Sequence, residues 1–262
     1  AVQPAAIALY RRYFLSRRIE IFESFVPDIG YFDSGPTFGL MGVIRNANEV
    51  SVITRIHLDI RHASSGSKLR VTACINRTRS VSGESGVWAQ KINGVPWIPF
   101  QIADDAAQVF DVYCFDTKRQ QQATAVLQKY HLALLQNLGG RGYSPMVGTT
   151  LSPAPISLEA FQLYRSEQFY IDARRELLEM LYWKAGRFEV TMSLAIDGDK
   201  RAYSQTWTID LTADDVSGLE GNVDRVLAFC AGVPPVLTGD PFFASPTFRA
   251  TTKERELVEQ PA

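Results

Sequence analysis

The chain has 262 residues, of which 46% are hydrophobic and 21% are charged. Its 27 basic and 28 acidic side chains give a net charge of −1. The chain as a whole therefore lacks the positive electrostatic field that would attract nucleic acid or an anionic membrane. This composition is that of an ordinary globular protein, whose core is large enough to need no disulfide or metal as a staple.

Residues 1–18 form a basic N-terminal segment. Its four arginines surround a short aromatic and aliphatic stretch, and they are Arg11, Arg12, Arg17 and Arg18. Such segments often lie on the cytoplasmic flank of a membrane span, so a membrane surface is one candidate partner. We favour the simpler interpretation, a first helix with a solvated basic face. The sequence contains no run of about 20 apolar residues and no signal-peptide core.

Residues 19–116 are predicted to form mainly strands. Apolar residues alternate with polar ones over residues 52–61 and again over residues 69–75, and the polar turn Ser64-Ser65-Gly66-Ser67 separates the two runs. Residues 80–94 are rich in glycine and small polar side chains and predict an exposed loop. Strands of this length joined by short turns predict an antiparallel sandwich or barrel.

The second half of the chain begins with a helical segment, residues 117–185. Apolar spacing predicts one helix from Lys118 to Gly139 and a second one that starts at the N-cap Ser157. On that second helix the apolar stripe consists of Phe161, Tyr164, Ile171, Leu178 and Leu181.

A hairpin follows over residues 187–211, where both arms alternate with a period of two around the turn Asp197-Gly198-Asp199-Lys200. Thr212 and Asp215 then have the spacing of a capping box and predict the start of a third helix. The pattern weakens beyond residue 232, so residues 233–262 are predicted to be a poorly ordered tail.

A two-stranded hairpin cannot bury its apolar face alone, and its nearest available partner is the N-terminal strand set. We therefore predict an α+β fold: a single antiparallel β-sandwich domain over residues 19–232, interrupted by the helical excursion 117–185, with helices packed on it. The alternative is two domains, one rich in strands and one rich in helices. The strand pattern is similar in outline to immunoglobulin-like sandwiches but lacks their Cys…Trp…Cys spacing.

Catalytic motifs for nucleotide binding, acyl transfer and zinc proteolysis are absent from the sequence. The three cysteines, Cys74, Cys114 and Cys230, have no metal-ligand spacing and fit a reducing compartment. We therefore predict no catalytic residue, metal or cofactor. The enzymatic alternative is a metal-dependent hydrolase or nuclease that uses Asp111, Asp116 and Lys118, the residue types with which such enzymes hold Mg²⁺ and orient water.

A local excess of positive charge is the main functional signal. Between Arg45 and Arg79 seven basic residues face only two acidic ones, Glu49 and Asp59. The alternation places Arg55, His57, Arg61 and Arg70 together on the polar side of the sheet, and paired strands would gather them into one patch. A solvated sheet face that prevents edge pairing is the simpler explanation of the same charges.

The sequence thus predicts a non-enzymatic binding or scaffolding module whose basic sheet face meets an acidic protein surface or anionic lipid. A protein partner is favoured, and nucleic acid is disfavoured because the basic segment has no aromatic side chains on which bases could stack. The predicted location is the cytoplasm, with tethering to the inner face of a membrane left open. The sequence gives no oligomeric state.

Overall fold

The computed structural model describes residues 18–23, 27–32, 35–47, 50–82, 89–104, 106–139, 157–199, 203–233 and 235–250. Within these ranges the chain forms eleven strands that belong to one antiparallel network. They are β1 (Arg18–Glu23), β2 (Asp28–Phe32), β3 (Gly35–Ala47), β4 (Ser51–His62), β5 (Lys68–Ser82), β6 (Ala89–Pro96), β7 (Phe100–Ile102), β8 (Ala107–Phe115), β9 (Gly186–Ile196), β10 (Tyr203–Leu211) and β11 (Arg249–Ala250).

The main strand order is β1-β3-β8-β5-β4-β9-β10-β11, and β2 continues the edge position of β1 beside β3. The two free edges of this sheet approach each other. Ile29 in β2 and Ala244, just before β11, exchange two backbone hydrogen bonds of 2.8 and 2.9 Å. The sheet is therefore curled into a nearly closed barrel, with residues 244–250 as the closing segment.

The α+β prediction is confirmed, with a mostly antiparallel sheet. The immunoglobulin-like outline is not confirmed, because the described strands form one curled network. Residues 244–250 were expected to belong to the poorly ordered tail, but they complete the barrel and bury Ala244. Residues 251–262 lie outside the described part of the chain.

The hairpin predicted over residues 187–211 is present as β9 and β10, and it pairs with the N-terminal strands as expected. β9 lies along β4 from Ile53 opposite Ile196 to His62 opposite Phe188. Side chains from β2–β5 and β7–β10 meet in one core inside the barrel. Full burial of each large side chain there, such as Phe188 and Trp207, contributes about 1.5–3 kcal/mol.

Residues 80–94 were predicted to be an exposed loop, but β5 extends to Ser82 and β6 begins at Ala89. Residues 83–88 of that prediction lie outside the described part of the chain. These two strands pair from Ile75 opposite Pro96 to Ser82 opposite Ala89. Gly94 and the small polar residues of β5 and β6 therefore did not prevent strand formation, because each strand finds its hydrogen-bonding partner in the other.

The helices of the described chain are α1 (Thr117–Gly139), α2 (Leu158–Tyr164), α3 (Gln168–Glu179), α4 (Ala213–Cys230) and the short α5 (Pro235–Thr238). The predicted cap at Ser157 is confirmed, since its Oγ accepts a hydrogen bond of 3.2 Å from the amide of Ala160. The capping box at Thr212 and Asp215 is confirmed as well. The predicted second helix is interrupted at residues 165–167, and α2 and α3 are separate.

The helices pack together on the outside of the barrel beside β2. Tyr31 links the two layers, because its ring belongs to the helical core and its Oη donates to the carbonyl of Leu177 at 2.9 Å. The segment after α3 closes one end of the barrel. There Trp183 donates to the carbonyl of Gly30 at 3.2 Å, and Tyr182 donates to the carbonyl of Ile60 at 2.9 Å.

Candidate binding face

The outer surface of four neighbouring strands, β5, β4, β9 and β10, carries polar side chains in rows. Inward positions such as Leu58, Val71 and Met192 are buried, so the alternate positions face outward. The register gives three rows: Thr72–His57–Ser193–Ser204, Arg70–Asp59–Thr191–Thr206 and Lys68–Arg61–Glu189–Thr208. We call this surface the polar face; it also includes Arg55, Arg187, Asp210 and Arg249.

Each of the three carboxylates on the polar face is engaged by arginine. Arg70 binds Asp59 through two hydrogen bonds, Nε to Oδ1 at 2.6 Å and Nη2 to Oδ2 at 2.9 Å. Arg61 pairs with Glu189. These are exposed pairs, whose contribution to stability is about 0–1 kcal/mol each. Their main effect is to fix the direction of the guanidinium groups.

The third carboxylate, Asp210, forms ion pairs with two arginines that belong to different strands. Arg187 lies 3.1 Å from its Oδ1 and Arg249 lies 3.5 Å from its Oδ2. Because Arg249 belongs to the closing segment, this contact also holds that segment against β10. The polar face therefore extends to the closure of the barrel.

Positive charge remains in excess after this pairing. The polar face carries six basic side chains and three acidic ones. The basic residues are Arg55, Arg61, Lys68, Arg70, Arg187 and Arg249. Arg55 and Lys68 are exposed and have no ion-pair partner within the described ranges. They are the two cations that a ligand could reach without displacing an internal carboxylate.

His57 lies near the middle of this surface and is half-buried. Its Nδ1 shares a hydrogen bond of 3.0 Å with Thr72 Oγ1. Burial lowers the pKa of His57 below its ordinary value, and the neighbouring Arg55 and Arg70 lower it further against the opposing effect of Asp59. The neutral imidazole is therefore the favoured form, and His57 does not add to the positive charge at neutral pH.

The structure brings all four predicted site residues, Arg55, His57, Arg61 and Arg70, onto one surface. Strand alternation does not predict that Asp59 and Glu189 neutralise two of the arginines, or that Lys68 is, like Arg55, a cation without an ion-pair partner among the described residues. The Asp59–Arg70 pair could have been predicted from the β4–β5 hairpin. Once the turn at residues 63–67 fixes the register, Asp59 must lie opposite Arg70 and Arg61 opposite Lys68.

Asp111, Asp116 and Lys118, the residues of the enzymatic alternative, do not lie on the polar face. Asp111 lies on β8 opposite Met41, and Asp116 follows the end of the same strand, roughly 17 Å further along at 3.3 Å per residue. Asp116 Oδ1 accepts a hydrogen bond of 2.9 Å from the amide of Lys118, which makes it the N-terminal cap of α1. Within the described ranges, no group of three or more His, Cys, Asp or Glu side chains could hold a metal ion.

The structure does not describe the side chains of the four arginines that were predicted to face a membrane. Arg11, Arg12 and Arg17 are not among the described residues, and neither is the side chain of Arg18. In the described part of the chain, no helix combines the length and the apolar character needed to cross a membrane.

Comparison with known proteins gives one structural similarity. No protein-family model matches the chain, and no curated protein matches it in sequence. Among solved structures the chain is similar to Spo0M, a sporulation control protein from Bacillus subtilis, at 10% identity and a TM-score of 0.26. The match covers 79% of this chain and 56% of the Spo0M chain. A similarity at this level carries no conclusion about fold or function.

Proposed function

We propose that the polar face is a docking surface for an acidic patch on another protein, and that the chain acts as a non-enzymatic binding module. The observation that carries this proposal is the excess of six basic over three acidic side chains on one sheet surface that no other described element covers. Arg55 and Lys68 would receive the partner's carboxylates, while the paired arginines would set the charge pattern that selects the partner.

Several features favour a protein over a lipid surface. Asp59, Glu189 and Asp210 are interspersed among the cations, and an anionic membrane would repel them. The exposed large apolar residues of the described chain, such as Ile98 and Val109, all lie outside the polar face, so it has no side chain suited to insertion among acyl chains. A partner with alternating charge could satisfy both signs.

A cytoplasmic setting is part of the proposal. Cys74, Cys114 and Cys230 are all free thiols. Free cysteines at buried and half-buried positions fit a reducing compartment.

The test uses the isotope-labelled protein and defined probes. Titration with a glutamate-rich peptide should shift the amide resonances of β4, β5 and β9, and the binding should weaken as salt is added. The double variant Arg55→Glu/Lys68→Glu should reduce affinity by about tenfold or more, because two attractive contacts become repulsive.

The control is Lys129→Glu on α1, a lysine outside the polar face whose side chain is 75% accessible and lies 3.5 Å from Glu176. It should leave the peptide affinity and the peptide-induced shifts of β4, β5 and β9 at their wild-type values. Equal affinity of the double variant and the wild type would overturn the proposal. So would binding to vesicles of mixed neutral and anionic lipid without binding to the peptide.

A further inference from the structure

The helical layer contains an open cleft of about 610 Å³ that is separate from the polar face. Its volume lies within the range of small-molecule sites, and its mouth is open to solvent. The cleft is lined by Arg165, Tyr170, Ile171, Arg174, Arg175, Leu178 and Glu179. Three guanidinium groups, one phenol, two aliphatic side chains and one carboxylate thus share one depression.

The interruption between α2 and α3 creates this arrangement. The turn at residues 165–167 rotates α3 so that Tyr170 is buried, while Ile171 is left 44% exposed. The same turn places the guanidinium carbon of Arg165 6.0 Å from the centre of the Tyr170 ring, the outer limit of a cation–π contact.

Asp224 on α4 holds the cationic side of the cleft in position. It accepts a hydrogen bond of 2.5 Å from Tyr170 Oη and one of 2.8 Å from Arg174 Nε. Nη2 of Arg165 lies 3.6 Å from its other oxygen. One partly buried carboxylate therefore orients two arginines and a tyrosine, which lowers the entropy that a ligand would otherwise have to remove.

The arginines keep hydrogen-bond donors for a ligand. Arg174 uses only Nε, and its two terminal nitrogens have no partner in the described chain. Arg175 binds Asp172 through Nη2 at 2.7 Å, which leaves its Nε and Nη1. The planar guanidinium group can bind two oxygens of a carboxylate or of a phosphate group at once.

We propose that this cleft binds a small organic anion in which one carboxylate or phosphate group is attached to an apolar portion. The anionic group would lie between Arg165 and Arg174, and the apolar portion would lie against Ile171 and Leu178. Glu179 lies at the far end of the lining helix and would repel a second anionic group placed there, so the anionic group is expected at the Arg165 end of the cleft.

Titrations with four probes test the proposal: benzoate, phenyl phosphate, inorganic phosphate and benzyl alcohol. Benzoate and phenyl phosphate should shift the amide resonances of residues 165–179 and raise the melting temperature. Inorganic phosphate should bind more weakly because it lacks the apolar portion, and benzyl alcohol should not bind. Tighter binding of benzoate would indicate a carboxylate ligand, and tighter binding of phenyl phosphate would indicate a phosphate ligand.

Arg174→Gln should weaken binding of the better probe by about tenfold, the loss expected for one charge-assisted contact. Arg174→Lys keeps the charge without the planar fork and should have an intermediate affinity. Arg55→Gln, which changes the polar face, should leave the affinity at the wild-type value. Absence of shifts at residues 165–179 with every probe would overturn the proposal, as would equal affinities of Arg174→Gln and the wild type.

Discussion

His57 is the only histidine on the polar face, and its charge state responds to acid. Burial and two adjacent arginines hold its pKa below the ordinary value. In the unfolded chain His57 regains an ordinary pKa of about 6.5. Between the two values the unfolded state binds more protons than the native state, so acid favours unfolding.

We predict that His57→Gln reduces the acid sensitivity of folding. The stabilising contribution of the neutral imidazole is present above about pH 6.5 and is lost as the pH falls through the lower native pKa. Glutamine does not titrate and retains a group that can bond to Thr72. Urea unfolding of wild type and variant at several pH values measures the difference, and the other two histidines are common to both proteins. Parallel pH profiles would contradict the prediction.

At the residue scale, the sequence predicted which side chains share the polar face but not how they pair. Alternation alone determines the face on which Arg55, His57 and Arg61 lie. The neutralisation of Arg61 depends on Glu189, which is distant in sequence and becomes a neighbour only through the β4–β9 register. No local pattern contains that information.

At the element scale, α4 depends on the capping box at its start. Thr212 Oγ1 accepts from the amide of Asp215 at 3.1 Å, and Asp215 Oδ2 accepts from the amide of Thr212 at 2.9 Å. Two amide groups that would otherwise lack intrahelical partners are satisfied in this way. Leu219, Val223 and Leu227 then bury one face of the helix.

We predict that Thr212→Ala lowers the free energy of unfolding by about 1 kcal/mol, the usual loss when an N-cap hydroxyl is removed. Thr212→Ser keeps the hydroxyl and should retain most of the stability. Urea denaturation of the three proteins gives the comparison. An alanine variant as stable as the serine variant would show that the cap contributes nothing.

The interruption between α2 and α3 could not be predicted from the spacing of apolar residues. A single uninterrupted helix would bury Ile171 and Leu178, which follow Tyr164 at intervals of seven residues. The turn after α2 shifts the phase, and the buried residues of α3 are Tyr170, Ala173 and Leu177. The break contains no glycine or proline, so the sequence gives no strong stop signal there. The phase shift also leaves Arg165, Arg175 and Ile171 exposed at the cleft, with Arg174 half-buried between them.

At the scale of the whole molecule, closure of the barrel depends on a segment without a sequence signature. β11 has two residues, and Ala244 makes an isolated bridge, so neither is long enough to show a period of two. The hairpin β9–β10 was predictable because each arm alternates over many residues. The closing segment is held instead by contacts distant in sequence, including Phe248 packed 5.1 Å from Trp207 and 6.4 Å from Phe38 between ring centres.

We predict that Ala244→Pro opens the barrel between β2 and the closing segment. Proline removes the amide that donates to the carbonyl of Ile29 at 2.9 Å and leaves that buried carbonyl without its donor, which costs about 1–3 kcal/mol. The amide of Ile29, which donates to the carbonyl of Ala244, should then exchange with solvent faster, while amides in the β4–β9 ladder should stay protected. Ala244→Gly keeps both hydrogen bonds and serves as the control. Unchanged exchange of Ile29 in the proline variant would show that the sheet does not depend on this bridge for its closure.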